Sequence, residues 1–318
     1  MSSAISFLFR DLPSFVAQVF PPEAKWSTDQ IPDLNGFVCI VTGGNVGIGK
    51  ETVKALLQHN AKVYLAARSE SKAKEAIRDL REETGKEAIF LKLDLSDLKA
   101  VKASAEEFMS KESKLHLLYN NAGVMAAPID LTTADGYDLQ FGTNVLGHFY
   151  FTKLLLPTIL STVETAPHGT VRVVNISSNA HYFGGLDFAT FKDGPKRRKR
   201  STDLLYCQSK FGNLVYNNEL ARRYADKGLV AIAVHPGVIR TDLWKYSSGM
   251  KKIMGNFWHP PSKGALTQLY AGTASEAAEL SGKYLGPWAK GWRPKASSTD
   301  PDLGKALWTW LEEQVKGL

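Results

Sequence analysis

Phe37-Val38-Cys39-Ile40-Val41-Thr42-Gly43-Gly44-Asn45-Val46-Gly47-Ile48-Gly49 decides how the rest of the chain is read. The run opens apolar and rich in β-branched residues, between Asn35-Gly36 and a glycine cluster. That is the pattern of a strand buried on both faces. Helical spacing begins at once in Lys50-Glu51-Thr52-Val53-Lys54-Ala55-Leu56-Leu57. Strand, glycine turn and helix in that order suit a phosphate. Glycines let backbone approach the anion, and a helix start offers free N–H groups at the positive end of its dipole. Alone, the pattern is weak and reads equally as a plain strand-to-helix turn.

Working outward, Ala61-Lys62-Val63-Tyr64-Leu65-Ala66-Ala67 is a second apolar run. It closes a β-α-β unit of roughly the thirty residues that a dinucleotide fingerprint needs. An NAD site would carry an acidic residue next, for the adenosine ribose; this chain has Ala67-Arg68-Ser69. An arginine there can accept a 2′-phosphate, which argues for NADP(H). Further strand patterns follow at Ile89–Leu95, Leu115–Asn120, Val171–Ser178, Leu229–Val234 and Gly282–Gly286, the last expected at the sheet edge. Helical patterns lie between them, including a long one over Ala134–Leu160. Alternation of this kind predicts an α/β fold: a single-domain Rossmann fold with a doubly wound parallel sheet and helices on both faces.

Tyr206-Cys207-Gln208-Ser209-Lys210 completes a set of motifs: TGGNVGIG (42–49), LDL (93–95), NNAG (120–123), FGTNVLGHF (141–149), VVNISS (173–178), YCQSK (206–210) and HPGVIRT (235–241). In this order they resemble the classical branch of the short-chain dehydrogenase/reductase family. They are most similar to its retinol-dehydrogenase-like and WW-domain-oxidoreductase-like members. The resemblance covers roughly residues 36 to 245 and implies an oxidoreductase that interconverts a carbonyl and an alcohol. It implies Asn144, Ser178, Tyr206 and Lys210 as catalytic residues, with Asn144 holding a water in a proton relay. For the cofactor it implies Gly43, Asn45, Val46, Gly47, Ile48 and Gly49, then Asp94 and Leu95 at the adenine. Asn121, Ala122 and Gly123, Tyr206 and Lys210, and Pro236, Gly237, Val238 and Thr241 complete that set. Lys210 lies four residues after Tyr206, on the same helix face, so its charge is expected to lower the tyrosine pKa.

The chain has 318 residues, 44% hydrophobic and 22% charged, with a formal charge of +7. That is a soluble globular mixture, long enough for one large core. The moderate positive charge fits an anionic cofactor and does not imply nucleic acid. Two cysteines, Cys39 and Cys207, both in apolar or helical stretches, argue against a disulfide framework. No metal-ligand spacing and no internal repeat is present. Asn175-Ile176-Ser177 matches a glycosylation sequon, but its strand is predicted buried. A cytoplasmic location follows.

Residues 1–35 precede the fold as an N-terminal extension. They read either as an amphipathic helix packed on the core or as a weak peripheral membrane contact through residues 1–20. Residues 36–318 form the oxidoreductase domain, with a substrate lid and a long helix over about 243–281. The residues expected at the substrate are Ser178, His181, Tyr182, Tyr206 and Trp244, with Phe183, Tyr246 and Trp258 nearby. An aromatic wall of this kind suits an apolar or aromatic carbonyl or alcohol. Lys196-Arg197-Arg198-Lys199-Arg200 reads as an exposed basic loop, dispensable for stability and chemistry. Whether the protein is a monomer or a homodimer stays open at this stage, as do an NAD-linked dehydrogenase and a non-catalytic NADP-binding regulator.

Overall fold

β1 (Val38–Thr42) is buried along its whole length and is an interior strand, third from one edge of an eight-stranded sheet. The computed structural model describes residues 11–241, 243 and 258–318. From β1 the chain passes through α2 (Gly47–Gln58) to β2 (Lys62–Ala67), then α3 (Glu70–Thr84), β3 (Ile89–Lys92), α4 (Leu98–Lys111) and β4 (Leu117–Asn120). A turn Leu139–Phe141 and a π-helical stretch Gly142–Gly147 lead into α5 (His148–Thr165), followed by β5 (Arg172–Ile176), α6 (Thr202–Tyr224) and β6 (Val230–Val234). The chain continues with α7 (Pro261–Thr273), β7 (Tyr284–Gly286), β8 (Lys290–Gly291) and α8 (Pro301–Gln314). An N-terminal helix, α1 (Leu12–Val19), precedes them all.

The strand order is β3-β2-β1-β4-β5-β6-β7-β8. Every neighbouring pair is parallel except β7 with β8. One core packs α4, α5, α6 and α8 on one face of the sheet; the other packs α2, α3 and α7 on the opposite face. This is the doubly wound Rossmann arrangement. Central strands buried on both faces explain why the sequence shows continuous apolar runs there rather than alternation. The chain moves outward from β1 to β3, then returns to start β4 on the other side of β1. A crevice therefore opens at the carboxyl ends of β1 and β4, where ligands of such sheets bind.

Several elements differ from expectation. The long helix begins at Leu139 rather than Ala134, because Thr132 pairs with Asp138 as an antiparallel bridge and Asp138 caps the turn from Gln140 N and Phe141 N. β7 is not the edge: β8 pairs beyond it. The helix expected within the lid is α7, and it belongs to the core. Its Ala265, Leu269 and Ala271 are buried with β1 and β4, and a Cβ on Gly272 would sit 1.9 Å from the Tyr119 hydroxyl. The basic run is not a free loop. It holds a helical turn, Pro195–Arg198, and Arg197 is buried on Asp138 and Asp193. The tryptophan-rich tail supplies α8, whose Trp308 packs on Phe149 and Tyr216, and Trp310 on Phe141 and Phe191.

No helix among the described residues is long and apolar enough to cross a membrane. Cys39 and Cys207 are both free thiols.

Candidate active site

Thr42, the last residue of β1, ties together the floor of the crevice. Its Oγ1 accepts from Asn121 N and Ala122 N, both at 2.9 Å, while Asn121 Nδ2 donates to Thr42 O at 2.8 Å. The glycine turn follows. Gly43 and Gly47 sit at φ 66° and 53°, in the left-handed region that favours glycine. A Cβ on Gly49 would come within 2.2 Å of Gly43 O, so the turn closes only around a bare backbone. Val46 opens α2 with no side-chain cap and no acidic residue in the first turn. By contrast, Asp97 caps α4 from Lys99 N and Ala100 N. The first N–H groups of α2 are thus left for an anion, with Asn45 half-buried and Val46 exposed at the rim. Ile48 turns inward, against the site of Gly264.

Arg68 follows β2 directly and is exposed, with no ion-pair partner among the described residues. Gly43 N donates to Ala66 O at 2.8 Å, so Arg68 emerges on the same edge as the glycine turn. Asp94 spends Oδ1 on Ser96, at 3.0 Å to the backbone N and 2.6 Å to Oγ. Leu95 is buried against Gly147 of the π-helical stretch. Across the crevice, the Pro236–Thr241 loop pairs with His259: His259 N donates to Val238 O and Arg240 N to His259 O, both at 3.0 Å. Gly237, at φ 92°, leaves room for Trp288. Thr241 Cγ2 lies 3.1 Å from where a Gly47 Cβ would be, so this loop reaches the glycine turn.

The catalytic candidates converge at the end of β5. Ser177 Oγ donates to Lys210 O at 2.7 Å, and Lys210 Nζ and Asn213 Nδ2 both donate to Ile176 O at 2.9 Å. These bonds clamp α6 to the strand that delivers Ser178. Ser178 Oγ donates to Asn179 Oδ1 at 3.3 Å and accepts from Ala180 N at 3.2 Å, and Lys210 Nζ stands 5.8 Å from the Tyr206 ring centre. Burial holds the Tyr206 phenol well above its ordinary pKa, and the nearby Ser178 hydroxyl only partly opposes it. Burial also pulls Lys210 down to about 8. The expected lowering of the Tyr206 pKa is therefore not met: desolvation of the phenol raises it. Asn144 Nδ2 donates to Val124 O and Ser209 Oγ, and Oδ1 accepts from Val124 N. Its side chain thus ties the segment after Gly123 to α6, and Oδ1 keeps a second lone pair.

The substrate side departs further from the sequence reading. His181 is fully buried: Nδ1 donates to Ser178 O at 2.6 Å and Nε2 accepts from Lys295 N at 3.2 Å. Tyr182 is also buried, its hydroxyl among Gln18, Ser14 and Arg293 O. Neither lines a pocket; both brace the serine segment. Phe183 faces out, edge-on to Phe15. Trp244 and Tyr246 lie outside the described residues, and Trp258 is half-buried. The apolar surroundings of Tyr206 are instead Met125 and Ala126, with Ala180 and Leu243 against them. Ala126 is held at φ 50°, unfavourable for a residue with a Cβ, by its N–H donating to Gln140 Oε1 at 2.9 Å. Gln140 Nε2 reaches on to Thr202 O at 2.8 Å, the start of α6.

His148 is a further residue that sequence reasoning passed over. It sits one turn after Asn144, fully buried, with Nδ1 3.1 Å from Asn144 O and Nε2 2.8 Å from Thr42 Oγ1. A carbonyl only accepts, so Nδ1 carries the proton and Nε2 accepts from Thr42. Burial keeps this ring neutral, lowering its pKa to about 3. The one sequence signal is a histidine four residues beyond Asn144. Behind it runs a buried amide ladder: Asn120 Nδ2 to Asn175 Oδ1 at 2.8 Å, and Asn175 Nδ2 to Asn217 Oδ1 at 3.0 Å.

Residues 37–191 match the family model for short chain dehydrogenase. A short-chain dehydrogenase/reductase of Armillaria gallica is 56% identical over 304 residues, covering 95% of this chain and 98% of that protein. The chain belongs to the short-chain dehydrogenase/reductase family. Retinol dehydrogenase 12 of Homo sapiens is 38% identical over 313 residues, 97% of this chain and 94% of that protein. Among solved structures, an uncharacterised protein from Mycobacterium paratuberculosis matches with a TM-score of 0.72 at 30% identity, over 92% of this chain and 98% of that one. The NADP complex of RhlG from Pseudomonas aeruginosa matches at TM-score 0.64 and 20% identity, over 80% and 95% of the two chains; this likeness concerns the fold. Family membership makes the chain a nucleotide-binding oxidoreductase acting between CH–OH and C=O groups.

Proposed function

We propose that this enzyme uses NADPH to reduce an aldehyde or ketone whose carbonyl is flanked by apolar groups. The observation that carries this reading is the phenol of Tyr206. It is buried among Met125, Ala126, Ala180 and Leu243, with the Ser178 hydroxyl nearby. A phenol is protonated at neutral pH and can give its proton to a carbonyl oxygen; the reductive direction follows from Arg68, exposed and without an ion-pair partner among the described residues, which suits the phosphate of NADPH. Several similar proteins are retinol dehydrogenases, whose name denotes an apolar alcohol substrate.

NADPH, when bound, supplies the hydride. The glycine turn Gly43–Gly49 and the uncapped start of α2 would hold its diphosphate. Arg68 would take the 2′-phosphate, since it has no partner of its own among the described residues. Ser178 fixes the carbonyl oxygen, and Tyr206 donates the proton to it. Lys210, anchored on Ile176 O, has further N–H groups with which to hold a ribose hydroxyl.

Acetaldehyde, pyruvate, benzaldehyde and decanal assayed side by side, each with NADPH and with NADH, test the proposal. Benzaldehyde or decanal should lead, with NADPH preferred. Pyruvate as the best substrate, or a preference for NADH, overturns the corresponding half of it.

A further inference from the structure

Gln18 lies in α1, ahead of the matched family region, yet it is fully buried. A buried glutamine is costly unless its polar atoms find partners. Here they find two tyrosine hydroxyls on distant elements. Nε2 donates to Tyr182 Oη at 3.0 Å, and Oε1 accepts from Tyr284 Oη of β7 at 2.7 Å. Nε2 also lies 3.0 Å from Ser14 O, and Ser14 Oγ is 2.8 Å from Tyr182 Oη. Phe15, on the same helix, packs edge-on against both Tyr182 and Phe183.

Tyr182 belongs to the single 3₁₀ turn, Asn179–Phe183, that follows Ser178. The turn also packs against α6, where Gly184 sits close on Cys207 O and Phe211, and the Tyr182 hydroxyl meets Arg293 O. Its other anchors are His181, joined to Ser178 O and to Lys295 N, and Lys295 Nζ, which donates to Gly184 O at 2.6 Å. The turn is thus held between α1 on one side and the segment after β8 on the other. Among the described residues, Gln18 is the one side chain seen to hydrogen-bond both Tyr182 and β7.

We infer that α1 is a positioning element of the active site: Gln18, acting through Tyr182, holds in place the segment that carries Ser178 beside Tyr206. Ser178 is the group touched by substrate, and Gln18 and Tyr182 set its place. The glycine turn lies at the other end of the crevice and is independent of this brace. For its kinetic part the inference rests on the carbonyl-reducing reading of the site.

The test uses the full chain with Gln18→Leu, Tyr182→Phe and the double variant. Hydrogen–deuterium exchange should speed up at least ~10-fold across residues 178–184 in Gln18→Leu and stay unchanged across 43–49. With the best aldehyde of the panel, kcat should fall at least ~10-fold while the NADPH dissociation constant changes less than ~2-fold. The double variant should lose no more kcat than the worse single variant, because both changes break one link. Unchanged exchange at 178–184 overturns the inference, whatever the activity. So does a fully additive double variant, or an equal loss of NADPH binding, either of which makes the helix mere packing. Should Gln18→Leu fail to fold, Tyr182→Phe alone carries the same readouts. If the wild type reduces no carbonyl, the proposed function falls, and the exchange result still decides this inference.

Discussion

The guanidinium Nε of Arg197 lies 2.9 Å from Oδ2 of Asp138, and both side chains are only 2% exposed. Arg197 Nη1 also meets Asp193 Oδ1 at 2.8 Å, and Nη2 donates to Leu131 O at 2.8 Å. Meanwhile Asp138 Oδ1 caps the turn that carries Gln140, the residue bonded to Ala126. One residue of a run that reads as solvated is therefore a buried keystone beside the active site.

Arg197→Leu should cost about 3–5 kcal/mol of stability, because it strands Asp138 as a buried charge. Lys199→Gln, on an exposed side chain, should change stability by less than about 0.5 kcal/mol. Urea unfolding of the two variants measures this. A loss below about 1 kcal/mol for Arg197→Leu would mean that water or another cation replaces the guanidinium.

Tyr206→Phe should lower kcat by at least ~10²–10⁴-fold, since it removes a positioned proton donor. NADPH affinity should stay near that of the wild type, because the glycine turn and Arg68 are untouched. Steady-state rates paired with fluorescence titration of NADPH check both halves. Retention of more than about a tenth of kcat takes the proton donor role away from Tyr206.

Arg68→Asp should shift preference from NADPH towards NADH. A carboxylate repels the 2′-phosphate and can bond a 2′-hydroxyl. Because Arg68 is exposed, the substitution should leave the melting temperature nearly unchanged. The ratio of the two dissociation constants is the readout; an unchanged ratio assigns the adenosine end to other residues.

Acid should unfold this protein through its histidines. Burial lowers His148, His181 and His235 each to about 3, against an ordinary value of 6.5. Between those values the unfolded chain takes up protons that the folded chain refuses. Their contribution to stability is complete above pH 6.5 and is lost as pH falls towards 3. Within that window stability therefore rises with pH. Denaturant midpoints measured from pH 7 to pH 5 should fall accordingly, and less steeply in His148→Gln. Equal slopes in the variant and the parent would show that His148 titrates normally.

The sheet, its winding and the cofactor turn were legible because each is written locally. A β-branched run, a glycine turn and a helical period sit within twenty-one residues in Phe37–Leu57. Ser178, Tyr206 and Lys210 were legible through motifs, and the structure gathers them at the end of β5. What stayed hidden depends on partners far away in sequence. His181 and Tyr182 follow Ser178 and are aromatic, so they read as pocket lining. Nothing near them reveals that Lys295 and Gln18 claim their polar atoms. Arg197 hides likewise within five consecutive basic residues, since Asp138, 59 positions earlier, and Leu131 O are partners that its neighbours in sequence do not reveal. Burial of Tyr206, which reverses the expected direction of its pKa, is likewise a property of packing rather than of spacing.

The brace on the serine segment also sets an order of assembly. Thr42 meets Asn121 across 79 positions, so the nucleotide end of the crevice closes over a moderate stretch of chain. The chemical end waits longer: Gln18 must find Tyr182 across 164 positions and Tyr284 across 266, while His181 meets Lys295 across 114. Closures of that span are slow, and on the ribosome they cannot begin until β7 and the residues after β8 have emerged. A nascent chain can therefore join β1 to the Asn121 turn well before it can fasten the segment that carries Ser178.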